Sequence, residues 1–211
     1  MRINEIFYSI QGESTRAGQP CIFVRLTGCN LRCIWCDTAY AFYEGAEMTV
    51  DEVMDRIKDY PCRMVEITGG EPLLQPEVHP LITRLLDLDY QILIETAGSL
   101  DIRRVDRRAS IIMDIKCPAS GMMDRMLWEN IEALTPKDEV KFVIKDRHDF
   151  EWASHVTRQY RLVSRCPVLF SPVFGELEPR QLAHWILENG LKVQLQIQLH
   201  KYIWDPQMRG V

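Results

Sequence analysis

Residues 28–40 read GCNLRCIWCDTAY, and this stretch holds three of the seven cysteines of the chain. Cys29, Cys33 and Cys36 are spaced C-x3-C-x2-C. A structural zinc site needs four ligands and a disulfide framework needs an even number of cysteines, so three close thiols fit neither pattern. An iron–sulfur cube takes one thiolate per iron, and three cysteines leave its fourth iron without a protein ligand. The spacing therefore indicates a cluster with one coordination position open for a substrate or cofactor.

The composition is that of one globular domain, residues 1–211, with 46% hydrophobic and 26% charged residues. No apolar run approaches the roughly 20 residues of a membrane span. The first residues, MRINEIFYSIQGE, contain no apolar signal-peptide core, so we expect a cytoplasmic protein with reduced thiols and no membrane contact. The net charge of −5 and the lack of a dominant basic stripe argue against direct binding of nucleic acid.

Short apolar runs rich in β-branched residues alternate with segments of helical spacing. The predicted strands are 21–26, 64–68, 91–95, 111–115, 140–144, 168–170 and 192–197. A capping box at Thr49 and Glu52 predicts the start of one helix, and 149–160 is a weaker helix candidate. The alternation predicts an α/β fold whose parallel strands are joined by right-handed crossovers.

Polar segments follow four of the predicted strands, where ligands bind in such folds. These segments are 68–72 (TGGEP), 95–98 (ETAG), 114–116 (DIK) and 171–173 (SPV). We expect them to lie on one rim of the sheet. Two glycines in TGGEP allow the backbone to approach a ligand closely, and Glu71 can accept hydrogen bonds from an ammonium group.

The cysteine spacing, Trp35 before the last cysteine and the TGGEP segment together resemble the radical S-adenosylmethionine superfamily. The resemblance implies a 4Fe-4S cluster on Cys29, Cys33 and Cys36, with S-adenosylmethionine on the open iron. It also implies reductive cleavage of S-adenosylmethionine to a 5′-deoxyadenosyl radical, and a partial (βα)6-type barrel of reduced size.

Three other interpretations of the cysteine loop remain open at this point. A zinc knuckle could take a fourth ligand from Cys62, Cys117 or His200. A noncatalytic iron–sulfur electron carrier would need no substrate pocket. A glycyl-radical activating enzyme shares the C-x3-C-x2-C spacing but would bind a large protein partner.

Seven positioned segments are similar to the 7-carboxy-7-deazaguanine synthase family over most of the chain: 7–13, 23–25, 35–38, 68–72, 95–98, 114–116 and 198–202. The resemblance implies a lyase that converts 6-carboxy-5,6,7,8-tetrahydropterin to 7-carboxy-7-deazaguanine and ammonia. This ring contraction lies on the route to 7-deazapurines, including the tRNA base queuosine.

The family resemblance also implies a substrate site. Its predicted residues are Ile10, Gln11, Gly12, Glu13, Arg25, Thr68 and Val211, the last through a terminal carboxylate. The chemistry of three of them suits a pterin, because Gln11 offers an amide, Glu13 accepts paired N–H donors and Arg25 can bind a carboxylate through two nitrogens. The alternative makes Gln11 and Glu13 an exposed turn and Arg25 a surface ion-pair partner.

The predicted S-adenosylmethionine contacts, again implied by the resemblance, are Trp35, Cys36, Asp37, Gly70, Glu71, Asp114, Ile115, Lys116, Ser171, Pro172, Val173 and Phe174. Asp114 and Lys116 alternate across Ile115, so both can point into the barrel mouth while Ile115 packs outward. The alternative is a simple ion pair at the end of a strand.

The resemblance further implies that Thr38 binds Mg²⁺, an ion that keeps water and substrate oxygens and needs few protein ligands. The alternative role for Thr38 is to cap the following turn. A flavodoxin-like electron donor and a homodimer are the expected partners. Two positions depart from the family pattern, since Ser14 replaces a usual glycine and Asp114 replaces a frequent serine.

Overall fold

The computed structural model describes residues 1–211 and contains one nine-stranded sheet in the order β3-β1-β2-β4-β5-β6-β7-β8-β9. The strands are β1 Arg2–Ile10, β2 Pro20–Leu26, β3 Ala46–Glu47, β4 Met64–Gly69, β5 Gln91–Thr96, β6 Ser110–Asp114, β7 Glu139–Ile144, β8 Val168–Pro172 and β9 Gln194–Leu195. Only β1 is antiparallel to its neighbours, β2 and β3, and β2 and β4 to β9 are mutually parallel. The edge strands β3 and β9 do not pair, so the barrel is open. The predicted α/β partial barrel is confirmed.

The helices are α1 Val50–Lys58, α2 Val78–Asp87, α3 Arg147–Gln159, α4 Pro179–Glu188 and α5 His200–Ile203. Short 3-10 turns take the place of helices between β5 and β6 and between β6 and β7, which makes the barrel small. The capping box predicted at Thr49 and Glu52 is present at the start of α1. None of the helices is long and apolar enough to span a membrane.

The first strand, β1, was missed from the sequence, and the predicted strand 192–197 is wrong in length. β1 reads RINEIFYSI, in which polar and apolar residues do not separate into one long apolar run. Its pairing with β2, including a stack of Phe7 on Phe23, holds it in place. At the other edge only Gln194 and Leu195 form β9, because an exposed edge strand has one partner and little burial to stabilise it.

The outward face of the parallel strands packs against the helices and forms a core cluster of 40 buried residues. The inward face carries a much smaller cluster, which we call the apolar floor: Cys21, Phe23, Met64, Leu93 and Ile112. These residues lie near the amino ends of β2, β4, β5 and β6 and fill the barrel from below.

Two residues further along, the inward positions become charged. We call these residues the charged layer: Glu66 on β4, Glu95 on β5, Asp114 on β6 and Lys141 on β7. The β6–β7 register places Asp114 opposite Lys141. Because side chains alternate along a strand, the charged layer lies directly above the apolar floor inside the barrel.

The open side of the barrel is covered by the loop between β1 and β2 and by residues near the end of the chain. Thr15 in the loop donates its backbone N–H to the Glu139 carboxylate at the start of β7, at 3.0 Å. Near the end of the chain, Gln196 N donates to the Phe170 carbonyl of β8 at 2.9 Å. Leu199 N donates to the carbonyl of Gly12, in the β1–β2 loop, at 2.9 Å. The two segments thereby connect β7 and β8 to the loop after β1.

Candidate active site

The cysteine loop leaves the end of β2 and is held against the TGGEP loop at the end of β4. Glu71 N donates to the Gly28 carbonyl at 2.9 Å. A Cβ at Gly70 would lie 2.3 Å from Gly28 O and 2.6 Å from Cys29 Cβ. Only glycine fits this approach, so Gly70 positions the first cysteine of the loop through backbone contact.

The three thiols of the loop are free and partly buried. Their sulfur atoms do not form a group within 4.8 Å of one another. Three thiolates on one zinc ion would lie about 3.8 Å apart, given zinc–sulfur bonds of about 2.3 Å, and these three thiols are not all that close together. Burial raises the pKa of Cys29 and Cys33, and the nearby Lys116 ammonium opposes this shift. The thiol donor set and the adjacent cation fit an anionic iron–sulfur cluster.

No fourth ligand for a zinc knuckle is in place. The one group of three or more ligating side chains within 4.8 Å consists of Asp146, His148 and Asp149, at the start of α3. The Asp149 carboxylate is already used, because it accepts from Ala119 N and Lys145 N. Cys62 donates to the Pro20 carbonyl.

Glu71 lies inside the protein and has no exposed surface. Its carboxylate accepts from Leu73 N at 3.0 Å, from Thr96 Oγ1 at 2.9 Å and from Ala97 N at 2.7 Å. These bonds join the TGGEP loop to the end of β5. The geometry favours a positioning role for Glu71, and a direct contact with S-adenosylmethionine stays a prediction.

The segment after β6 brings two charges to the rim. Lys116 Nζ lies 2.7 Å from Asp114 Oδ2, so the ion pair of the alternative interpretation does form. Asp114 Oδ1, however, is buried without a hydrogen-bond partner. Ile115 is fully buried in the large core, as its outward direction predicts. An unpaired buried acceptor at the rim is what a site for a ligand with N–H or O–H donors requires.

The segment after β8 completes the rim. Ser171, Pro172 and Val173 are buried, and Ser171 Oγ is a second buried polar atom without a partner. Phe174 is partly exposed and packs edge-on against Tyr202, with 5.8 Å between ring centroids. Trp35, from the cysteine loop, has the Lys145 ammonium 6.0 Å from its ring centroid.

Gln11 and Glu13 lie inside the barrel, and the exposed-turn alternative does not describe Gln11, which is 2% exposed. Gln11 Oε1 accepts from Glu13 N at 3.0 Å, and its Nε2 donates to Glu66. Glu13 accepts from Lys141 Nζ at 2.7 Å and from Gln198 Nε2 at 2.9 Å. Gly12 leaves no space for a side chain, because a Cβ there would lie 2.1 Å from His200 Nδ1.

Arg25 belongs to an interior ion pair rather than a surface one. Its Nε donates to Glu5 Oε1 at 2.7 Å, and the same oxygen accepts from the Tyr40 hydroxyl at 2.9 Å. The two terminal nitrogens of Arg25 make no hydrogen bond, which leaves them available for a carboxylate. Thr68 Oγ1 donates to Glu95 at 3.2 Å, at the upper edge of the charged layer.

Thr38 does not cap the turn that follows it, because its side chain makes no cap hydrogen bond. Its hydroxyl lies 3.3 Å from Asp37 Oδ1. The other oxygen of Asp37 lies 2.6 Å from Lys201 Nζ. Thr38 Oγ1 therefore remains available to an ion, and its role as an Mg²⁺ ligand stays a prediction.

Val211 is placed beside β1. It lines a surface cavity of about 340 Å³ with Ser9, Ile10 and Trp204. Val211 makes no hydrogen bond to Gln11, Glu13 or Arg25. The structure brings Val211 to Ile10, and its contact with substrate stays a prediction.

Two residues at the site, Glu66 and Lys141, lie outside every segment singled out from the sequence for the site or for the family resemblance. Glu95, Gln198 and Lys201 lie in the singled-out segments 95–98 and 198–202 but were not assigned to the site. Burial raises the pKa of Glu66 to about 8, and the Glu95 carboxylate adds to the effect. The available signal was a charge at an inward position of an otherwise apolar strand, as in MVEITG, QILIET and EVKFVI. Segment 198–202 was singled out only by the resemblance, and the contacts of Gln198 with Glu13 and of Lys201 with Asp37 could not be read from it because they join residues far apart in the chain.

This combination of an open barrel, a rim at the strand ends and a three-cysteine loop defines a radical S-adenosylmethionine enzyme. The sequence-family model of the Radical SAM superfamily matches residues 23–161 of this chain. The crystal structure of QueE from Escherichia coli shares the fold with a TM-score of 0.79, at 23% identity over 94% of both chains. The structure of TYW1 with a lysine–pyruvate adduct is less similar, with a TM-score of 0.58 at 14% identity over 80% of this chain and 73% of that one.

Curated relatives narrow the class. The 7-carboxy-7-deazaguanine synthase of Koribacter versatilis is 47% identical over the full length of both chains. The enzyme of the same name from Chlorobaculum tepidum is 47% identical over all of this chain and 97% of its own. The chain therefore belongs to the 7-carboxy-7-deazaguanine synthase family within the radical S-adenosylmethionine superfamily.

Proposed function

We propose that this chain converts 6-carboxy-5,6,7,8-tetrahydropterin to 7-carboxy-7-deazaguanine and ammonia, in 7-deazapurine (queuosine) biosynthesis. The observation that carries the proposal is the charged layer, which lies inside the barrel behind a three-cysteine loop. With Glu13 and Lys116 included, four carboxyl groups there accompany two ammonium groups. Such an excess of acceptors suits a ligand rich in N–H donors, as the guanine-like edge of a pterin is.

The substrate carboxylate is assigned to Arg25. Its Nε is held by Glu5, which fixes the plane of the guanidinium and leaves both terminal nitrogens free. A planar two-point contact with a carboxylate is the geometry that arginine provides and lysine does not. Gln11 has one amide hydrogen and one oxygen lone pair left for the ring, because its Oε1 accepts from Glu13 N and its Nε2 donates to Glu66.

Cys29, Cys33 and Cys36 are the proposed ligands of the cluster, and Asp114, Lys116 and Ser171 the nearest polar groups for S-adenosylmethionine. When bound, the 4Fe-4S cluster and S-adenosylmethionine supply reductive cleavage to a hydrogen-abstracting radical. This chain orients the pterin, neutralises its carboxylate and keeps water out of the barrel. Product and ammonia together contain the atoms of the substrate, so no net oxidant is needed.

Magnesium, the electron donor and the assembly belong to the same proposal. Thr38 Oγ1 is the proposed Mg²⁺ ligand, supported by its having no capping bond. Thr38→Ala should lower the stimulation by added Mg²⁺ without changing the iron content. We further propose a flavodoxin-like donor, a homodimer and a cytoplasmic location; sedimentation of the holoenzyme tests the dimer.

The test is a product assay under anaerobic conditions. Reconstituted and reduced protein is incubated with S-adenosylmethionine, Mg²⁺ and 6-carboxytetrahydropterin, and the products are identified by mass. We expect 7-carboxy-7-deazaguanine with one ammonia for each turnover. Formation of 5′-deoxyadenosine without the deazaguanine would remove this reaction and leave membership of the superfamily intact.

A further inference from the structure

Lys141 is a buried cation on β7 that the family resemblance does not explain. Its side chain is 5% exposed and contacts carboxylates from three different elements. Nζ lies 2.7 Å from Glu13 Oε2 and 3.9 Å from Asp114 Oδ2, and it also donates to Glu95. These three partners come from the loop after β1, from β6 and from β5.

Of the three partners, Glu13 depends most on Lys141. It lies in a loop, so no strand ladder fixes its backbone, and its carboxylate is held by Lys141 and Gln198 alone. Burial is the largest influence on the pKa of Glu13 and works to raise it, but the charge and hydrogen bond of Lys141, together with Gln198 and His200, bring the pKa below its ordinary value. A carboxylate kept ionised in a largely buried site is a strong acceptor for N–H donors.

We propose that Lys141 is a positioning residue, which holds Glu13 and Glu95 as oriented carboxylates for the N–H donors of the substrate. The inference rests on the proposed function and adds to it a residue that does not itself touch the reacting atoms. Asp114 is also paired with Lys116, at 2.7 Å, so we expect the cofactor side of the site to hold without Lys141.

Several ionisable groups surround this ammonium, and each contributes to its pH behaviour. They are Glu13 from the β1–β2 loop, Asp37 from the cysteine loop, Glu66 from β4, Glu95 from β5, Asp114 from β6, Lys116 from the segment after it and Glu139 from β7, with His200 of α5 acting on Glu13. Loss of the Lys141 charge leaves the carboxylates without their shared cation, and the pKa of Glu13 should rise.

Holoenzymes carrying Lys141→Met and Lys141→Arg test the proposal, with Lys58→Met as a control that removes an exposed ion pair. For Lys141→Met we expect kcat/KM for the pterin to fall about 100-fold, mostly through KM. The acid limb of kcat/KM should move to higher pH, because Glu13 then ionises later. Lys141→Arg should recover part of the loss, and the affinity for S-adenosylmethionine should change less than about 3-fold in both variants.

If Lys141→Met folds poorly, the charge-balanced variant Lys141→Met with Glu95→Gln replaces it. An unchanged KM and an unchanged acid limb in either variant would overturn the role of Lys141 while leaving the proposed function standing. A wild-type enzyme that makes no deazaguanine removes the proposed function instead. In that case denaturant unfolding of the holoenzymes tests the contact of Lys141 with Glu13. The difference in free energy of unfolding between wild type and Lys141→Met should widen as pH rises from about 3 to about 6, and a constant difference contradicts the proposal.

Discussion

The two faces of the same parallel strands are built from different chemistry. On β4, Ile67 points outward and is fully buried in the large core, whereas the next residue, Thr68, points inward and donates to Glu95. The outward face is apolar except at Thr96, at the end of β5, and the inward face of β4, β5 and β6 changes from the apolar floor to the charged layer within two residues. The outward face therefore stabilises the fold, and the inward face holds charge where binding requires it.

The inward face carries a cost that the outward face does not. Removing carboxyl and ammonium groups from water is unfavourable unless they pair, and Glu66 has no ammonium in direct contact. Burial and the Glu95 carboxylate raise the pKa of Glu66 to about 8, so it holds its proton over much of the neutral range. The comparison teaches that charged inward positions mark the site more reliably than surface charges do.

The largest effect on activity is expected from a substitution in the cysteine loop. Cys33→Ala should leave the cluster with two protein ligands and reduce iron content and product formation to background. Cys166→Ala, in the outward core, should keep both iron and product. Anaerobic iron and sulfide analysis with the mass assay measures both, and an active Cys33→Ala enzyme would contradict the assignment.

The neighbours Ile67 and Thr68 give the sharpest contrast between the two faces. Ile67→Ala should lower the free energy of unfolding by about 3 kcal/mol, through lost burial and the cavity that it leaves. Thr68→Ala should cost about 1 kcal/mol or less and should instead raise KM for the pterin. Equal destabilisation by both changes would mean that the inward face is also packed for stability.

The pH dependence of unfolding tests the proton on Glu66. Its pKa is about 8 in the folded protein against an ordinary 4.5, so on raising the pH the unfolded chain loses this proton first. The contribution to stability is therefore present below about pH 4.5 and is lost progressively up to about pH 8. The free energy of unfolding of Glu66→Gln should not show this decline. Relative to wild type it should increase by at least about 1 kcal/mol between pH 5 and pH 8.

Denaturant unfolding of both proteins at these two pH values is the measurement. Glu95, Glu13 and Lys141 face the same group, and Cys21 lies below it, so all of them are retained in the variant. Parallel pH curves for the two proteins would show that Glu66 is ionised in the folded state.

The smallest effect is expected at Ser14, which has a φ of 62° and replaces a glycine that the family resemblance implies. A left-handed conformation costs about 1 kcal/mol for a residue with a side chain. Ser14→Gly removes this strain but also loses the bond that Ser14 Oγ accepts from Arg16 N at 3.0 Å. We expect a net gain of about 0.5 kcal/mol in chemical unfolding. The control is Ser164→Gly, where φ is negative and the change should lower the free energy of unfolding. A lower free energy of unfolding in both variants would contradict the claim that the backbone is strained at Ser14.

The sequence predicted the parallel strands and the cysteine loop because these features are local. Alternating apolar runs define β4 to β8, and the spacing of three cysteines needs no tertiary information. β1 escaped prediction because its pairing with β2, rather than its own pattern, makes it a strand. The role of Lys141 was not predicted because it depends on contact with Glu13, which is 128 positions away in the chain.

The central claim is that the inward face binds the pterin behind a cluster held by three cysteines. An anaerobic crystal structure of the reduced holoenzyme with S-adenosylmethionine and 6-carboxytetrahydropterin tests it most directly. We expect a pterin ring that is hydrogen-bonded to Gln11 and Glu13, with its carboxylate on Arg25. We also expect one iron of the cluster to have no ligand from the protein. A pterin bound outside the barrel, or a fourth side chain on the metal, would contradict it.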